Sequence, residues 1–360
     1  MPSLFEPLTL RGLTLPNRIA VSPMCQYQAQ EGEVNDWHFV HLGGLAQGGA
    51  GLVITEAVAV VPEGRISPND LGLWNDTQIE GLARSARFIA AQGAVPGIQL
   101  AHAGRKASRP APWQGSDGVA PSAGGWTPVA PSPLPFDSSW ATPTELDESG
   151  IKAVIRAFAY ATRRAMAAGF QVVELHAAHG YLLHQFLSPL SNHREDRYGG
   201  SFENRTRLVR EVTTAVRALW PGNLPLFVRL SATDWVAGGW DLEQSVALSR
   251  ELKTLGVDLV DCSSGGLSPL HKIQPGPGYQ VPFAARIRAE ADLPTGAVGL
   301  ITDPHQAEAI LAAGAADLVL LGRELLRDPR WPLRAAQALG VAVPWPASYA
   351  RGASGPVPIR

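Results

Sequence analysis

Eight short apolar runs recur along the chain: Arg18–Val21, Gly51–Thr55, Pro96–Leu100, Gln171–Leu175, Leu226–Leu230, Asp258–Cys262, Thr295–Val298 and Asp317–Leu321. Their near-continuous hydrophobicity suits strands buried on both faces. Helical patterns fall between them, over Ser149–Ala168, Asn204–Leu219, Leu242–Leu255 and Gln306–Ala313. Gly169, Trp220-Pro221, Gly256 and Gly314 close these patterns, Asp241 is placed to cap the third and Asp303-Pro304 to open the fourth. Strand–helix alternation at this pace predicts one α/β domain, and eight strands are the number that closes a (β/α)₈ TIM barrel. An open doubly wound sheet is the structural alternative, but its Gly-x-Gly-x-x-Gly phosphate turn is missing. No internal repeat of short period is present.

Two regions depart from this rhythm. Lys106–Thr144 is rich in Pro, Gly, Ser and Trp, too long for an ordinary connection, and follows the third strand. It reads either as a lid or pocket wall over the barrel mouth or as a surface excursion whose tryptophans pack on the barrel. Residues 344–360 form a Pro/Gly-rich tail expected to lack regular structure. The barrel domain is therefore assigned to residues 1–343.

Hydrophobic residues make up 45% and charged residues 17%, which supports a sizeable core and argues against disorder. A net charge of -2 gives no reason to expect nucleic acid or an anionic membrane as partner. No apolar stretch is long enough to span a bilayer, and the Met1–Glu6 terminus lacks a signal-peptide pattern. Cys25 and Cys262 are the only cysteines, far apart, so a disulfide framework, structural zinc and an iron–sulfur cluster are poorly supported. A reducing cytoplasm is the expected compartment.

Chemistry gathers where the fourth run ends. His176, His179 and Tyr181 leave it together, at what would be the C-terminal end of a barrel strand. Two neutral imidazoles can donate to one oxygen, and a phenol can deliver a proton. That equipment polarises a carbonyl or nitro group. A metal-dependent barrel hydrolase using His176 and His179 is the competing reading, although no third ligand is evident. Cys25, in Ser22-Pro-Met-Cys-Gln-Tyr27, is either a buried small hydrophobe or a thiol set against a redox cofactor. Gln99 and His102 flank the end of the third run; the amide needs a partner, from a heterocyclic ring or from backbone. Arg229 lies in an otherwise apolar strand, where a guanidinium demands an anion or strong acceptor. Gly299 follows the seventh run and Gly322-Arg323 the eighth, the two loops where barrels often bind phosphate.

Taken together, Ser22–Cys25, Gln99–Lys106, His176–Tyr181, Leu187–Arg194, Tyr198–Arg205 and Leu321–Arg323 resemble the old yellow enzyme family of flavin-dependent ene-reductases, in particular its thermophilic-like bacterial subclass. The likeness covers nearly the whole chain. It implies a (β/α)₈ barrel holding non-covalent FMN and taking hydride from NADPH or NADH. Ser22, Pro23, Met24 and Cys25 match the flavin-contacting first loop, and Ala57 the small residue after the second strand. Gln99 matches the partner of the flavin's pyrimidine edge and Arg229 the cation near its N1/C2 carbonyl. Gly322 and Arg323 match the phosphate turn, with Gly299 in the same region. His176 and His179 match the pair that grips the substrate oxygen, Tyr27 a contact from the opposite wall and Tyr181 the proton donor. The implied substrates are α,β-unsaturated carbonyl or nitro compounds, which receive hydride at the β-carbon and a proton from Tyr181 at the α-carbon. The resemblance also implies a homodimer or homotetramer. Tyr349-Ala-Arg-Gly352 resembles the subclass motif whose arginine, here Arg351, reaches a neighbouring subunit's site. Two departures stand out: Lys106–Thr144 is longer than in compact members, and additional residues follow Arg351 through Arg360.

Overall fold

The computed structural model describes residues 3–115 and 117–360; Met1 and Pro2 of the terminus and Ser116 of the long loop lie outside it. Each apolar run becomes a strand: β1 Ile19–Val21, β2 Leu52–Ala59, β3 Val95–Ala101, β4 Val172–Ala177, β5 Leu226–Ser231, β6 Leu259–Ser263, β7 Thr295–Ala297 and β8 Leu318–Leu321. All neighbours pair in parallel, and β8 pairs with β1 through Val319–Leu321 against Ile19–Val21. The barrel is closed, so the open-sheet alternative is excluded: no strand edge remains to be covered.

Ten helices are described: α1 Asp36–Gln47, α2 Gln78–Ala91, α3 Glu148–Ala167, α4 Leu182–Leu187, α5 Phe202–Arg217, α6 Leu242–Thr254, α7 Val281–Ala291, α8 Pro304–Ala312, α9 Arg323–Arg327 and α10 Trp331–Ala338. Several start slightly before the first apolar-periodic residue, because polar caps set their start. The side chains of Asp147, Ser201, Asp241 and Asp303 each accept a backbone N–H three residues ahead. None of the described helices is long and apolar enough to cross a membrane.

Alternation along the strands sorts side chains into an outer and an inner set. The outer set, including Val53, Ile98, Val173, Leu175, Val228 and Val260, packs under the helices. The inner set begins as an apolar plug of Leu52, Ile54, Val95, Val172, Phe227 and Leu259 with residues of β1 and β8. A hairpin, Leu8–Leu10 against Leu13–Leu15, adds its buried leucines to this plug and closes the N-terminal end of the barrel. Two residues past Val172, Phe227 and Leu259, and four past Val95, the inner positions turn polar: Glu174, Arg229, Asp261 and Gln99, all buried. Two residues beyond these come His176, Ser231 and Ser263.

The long loop after β3 is built rather than loose. Trp126 donates its indole N–H to the Glu63 carbonyl at 2.8 Å. The Arg65 guanidinium lies 5.2 Å from the Trp74 ring centre and 5.1 Å from that of Trp126. Arg109 sits 3.8 Å over Trp140, and Phe136 lies 4.8 Å from the same ring. Val129–Ala130 pairs with Thr144–Glu145. Within this loop Trp126 and Trp140 pack, whereas Trp113 is 63% exposed and edges onto Tyr27 at 5.8 Å.

The tail is largely irregular, as its composition predicts, but it is anchored to the barrel. Ala347–Gly352 forms a 3₁₀ turn, and Trp345, nearly buried, bridges to Ile359. Arg360 donates to the carbonyls of Ala46 and Gln47. Both carbonyls belong to the last turn of α1, where that of Ala46 also accepts the Gly49 N–H at 3.2 Å.

Candidate active site

The exit of β4 is shaped by a left-handed turn. His179 has φ 58° and Gly180 φ 73°. A side chain at 180 would meet the Gly266 carbonyl oxygen at 2.3 Å, so only glycine fits there. Lys106 donates from Nζ to the carbonyls of His179 and Gly266, 2.9 Å each. The Gly180 N–H donates to His184 Nδ1 at 2.9 Å, which leaves the proton of that ring on Nε2, 2.9 Å from Asp234 Oδ1. Gln185 donates to the Gly180 carbonyl at 2.6 Å. This frame presents three rings together: His176 and His179 are 5.1 Å apart, and His176 and Tyr181 4.9 Å, all edge to face.

The His176 ring is buried and its Nδ1 has no hydrogen-bond partner. His179 Nε2 lies 2.7 Å from Ser263 Oγ, and its backbone N–H donates to Ser231 Oγ at 2.9 Å. Burial, with the Arg229 charge next in weight, holds both imidazoles well below the ordinary histidine range, so both are neutral. Burial pushes the Tyr181 phenol well above its usual value, which keeps the proton on oxygen. The Lys106 ammonium lies 5.3 Å from the Tyr181 ring centre and 4.7 Å from that of Phe136, so the long loop reaches this cluster.

Beneath the histidines lies the charged layer. Gln99 Nε2 donates to Glu174 Oε1 at 2.8 Å. One partner of this amide within the chain is therefore the Glu174 carboxyl. Arg229 donates from Nη2 to Ser22 Oγ at 3.0 Å, and its Nε sits 2.9 Å from Asp261 Oδ2 at an angle that makes no hydrogen bond. Burial, then the Asp261 charge, raises the Glu174 carboxyl to about 8; burial raises Asp261 as well. His102 is absorbed by the fold: its Nδ1 accepts the Gly104 N–H at 3.0 Å, and burial lowers it to about 4.

The loop after β1 arches over this layer from the other side. Ser22 N–H donates to the Leu321 carbonyl at 3.0 Å, and Met24 Sδ lies 3.6 Å from where a side chain at Gly322 would begin. Gln26 N–H donates to Glu56 Oε2 at 3.1 Å, and Glu56 Oε1 is 3.3 Å from His38 Nε2. Cys25 is half-buried, and burial with the Asp70 charge raises its thiol well above the usual value. Tyr27 turns at φ 54°. Ala57 pairs with Gln99 just past an irregularity in β2. Gly299, Gly322 and Arg323 line a cavity of about 170 Å³ together with Ser263, Tyr279 and Gln280. At Gly299, φ 126° and Tyr279 carbons 3.2 Å away leave no place for a side chain.

Arg351 is not gathered with these groups in this chain. It lies exposed on the 3₁₀ turn, whose Tyr349 Oη is 3.5 Å from Gln47 Oε1 at the end of α1. The metal reading finds no support: among the described residues no three His, Cys, Asp or Glu side chains gather to hold an ion. Sequence reasoning assigned no role to Glu174, Asp261, Lys106, His184, Asp234, Ser231 or Ser263. The apolar-strand argument used for Arg229 applies equally to Glu174 and Asp261 and would have found them. Lys106, His184 and Asp234 carry no such signal, because their partners are backbone groups and side chains far along the chain.

Comparison with known proteins follows the same lines. The sequence model of the NADH:flavin oxidoreductase / NADH oxidase family matches residues 3–341. An NADPH dehydrogenase of Geobacillus thermodenitrificans is 50% identical over 351 residues, 97% of this chain and 98% of that protein. An NADPH dehydrogenase of Bacillus subtilis is 49% identical over 352 residues, with the same coverage. Among solved structures, morphinone reductase in complex with tetrahydroNAD superposes with a TM-score of 0.79 at 29% identity, covering 96% of this chain and 93% of that one. The old yellow enzyme homologue from Zymomonas mobilis gives 0.78 at 27% identity, covering 94% and 93%.

Proposed function

Because the chain belongs to the NADH:flavin oxidoreductase / NADH oxidase family, the old yellow enzyme family, we propose that it is an ene-reductase that holds FMN non-covalently across the barrel mouth and reduces activated C=C bonds. The observation that carries this reading is the convergence of two neutral imidazoles and a protonated phenol over a buried guanidinium. A nicotinamide donor is supported by the names of the relatives and by the tetrahydroNAD bound to morphinone reductase.

The residues present fit an FMN. Ser22 to Cys25 and Ala57 offer a close-approaching wall, and the Gln99 amide carbonyl and Arg229 offer an acceptor and a cation to a polar ring edge. The cavity at Gly299, Gly322 and Arg323 offers backbone and a guanidinium to a phosphate. When bound, FMN accepts hydride from NAD(P)H and delivers it to the substrate's β-carbon.

The chain's own groups do the rest. His176 and His179, uncharged, donate N–H bonds to the carbonyl or nitro oxygen and polarise it. His179 must turn its Nε2 from Ser263 or use its other nitrogen to do so. Tyr27 closes the opposite wall, against Trp113 of the long loop. Tyr181, its proton held on by burial, gives that proton to the α-carbon. The domain is residues 1–343 with the 106–144 loop as a pocket wall, and Arg351 serves a neighbouring subunit in a homodimer or homotetramer.

Absorbance of the purified protein tests this directly. A flavin spectrum that NADPH bleaches without oxygen, and that a simple enone restores, is the expected result. A colourless protein, or a flavin that no enone reoxidises, contradicts it.

A further inference from the structure

We propose that Glu174 is a positioning residue for the flavin, acting through Gln99 to fix the amide that meets the ring edge and through its own ionisation to set the charge beneath the ring. This rests on the FMN reading above and deepens it.

The geometry is one guanidinium among two fully buried carboxylates. Arg229 lies against Asp261 and also holds Ser22. Glu174 meets only the uncharged Gln99 amide, and its second oxygen, Oε2, has no partner. Arg229 can balance one carboxylate, and Asp261 is the one beside it. Glu174 is left without a counter-charge, so its neutral form is favoured. The charged groups facing Glu174 are Arg229 of β5 and Asp261 of β6. Neighbouring β3 presents uncharged Gln99, and on its own strand His176 is neutral.

Two consequences follow. One N–H of Gln99 Nε2 goes to Glu174, which fixes the amide's orientation and leaves its oxygen and second N–H for the ring edge. The charge of the layer also depends on Glu174: near zero when it is protonated, one negative charge when it is ionised. Reduction of FMN by two electrons from NAD(P)H adds negative charge next to this layer. An ionised Glu174 then takes up one proton from solvent, which links its proton to the electron pair.

The experiment is a spectroelectrochemical titration of FMN-loaded wild type, Glu174→Gln and Asp261→Asn between about pH 6 and 10. Gln at 174 keeps an oxygen for Gln99 but cannot ionise. Above the pH at which Glu174 ionises, the wild-type midpoint should fall more steeply than that of Glu174→Gln, by about 30 mV per pH unit for one proton per electron pair. Below it the two should run parallel. Asp261→Asn frees Arg229 for Glu174 and should move the extra slope to lower pH. Parallel lines throughout, in proteins that are yellow and reducible, would overturn the role of Glu174 and leave the flavin reading intact. A wild type that binds no flavin would overturn both. Infrared spectra of the FMN-loaded proteins give a second check. A protonated-carboxyl band that titrates away at alkaline pH in wild type and is missing from Glu174→Gln supports the proposal, because buried Asp70 and Asp261 are also raised and stay in both proteins; identical bands in the two proteins contradict it.

Discussion

Two layers of the same barrel lie only two residues apart along each strand. Val172, Phe227 and Leu259 belong to the apolar plug; Glu174, Arg229 and Asp261 stand directly above them. Both layers are equally dry. The lower one gains from that, since apolar area removed from water stabilises the fold. The upper one loses, since buried charges are costly and here only partly paired. The hairpin-capped plug below supplies stability that offsets the charged layer.

The largest effect that could break this division is in the plug. Phe227→Ala should cost about 3–5 kcal/mol of stability, the usual range for a buried aromatic, read as a shifted urea midpoint. A loss below about 1 kcal/mol would mean that the plug does not carry the barrel.

Next come the imidazoles, whose loss should touch binding rather than folding. His176→Ala or His179→Ala should each weaken phenolate binding by one to two decades, since a hydrogen bond to a charged group is worth about 1.5–3 kcal/mol. Flavin absorbance and the urea midpoint should hardly move. Unchanged phenol affinity in both variants removes the oxygen clamp.

Stability against pH sharpens the contrast. The Glu174 carboxyl is raised to about 8 in the folded chain, against about 4.3 unfolded. Folding therefore takes up a proton between these values, and stability falls as pH rises across that window. Glu174→Gln should make this slope shallower, leaving the share that buried Asp70 and Asp261 contribute. Matching slopes in wild type and Glu174→Gln would deny the carboxyl its neutral state.

The smallest effect belongs to the first loop. Cys25→Ala should shift the flavin midpoint while leaving the fold intact. An identical midpoint would return this thiol to a packing role.

How far the sequence alone reaches follows from the same layers. The strands were legible because burial on both faces leaves few polar interruptions, and the interruptions that exist, such as Arg229, fall in the buried charged layer. Helix starts were less legible: Asp147 and Ser201 cap before the periodic pattern begins. The tail's Pro and Gly content announces its irregular backbone but hides the anchors Trp345 and Arg360. Pairings such as Gln99 with Glu174, or Lys106 with His179, could not be read from the chain, because they depend on which strand ends face each other across the barrel.

The central claim is that the β4 exit serves the substrate half of the reaction. Stopped-flow traces of Tyr181→Phe test it most directly. Flavin bleaching by NADPH needs no proton from Tyr181 and should stay near wild type. Reoxidation by a simple enone needs a positioned acid and should slow by about 10²–10⁴-fold. Equal slowing of both half-reactions, or none in either, would contradict the assignment.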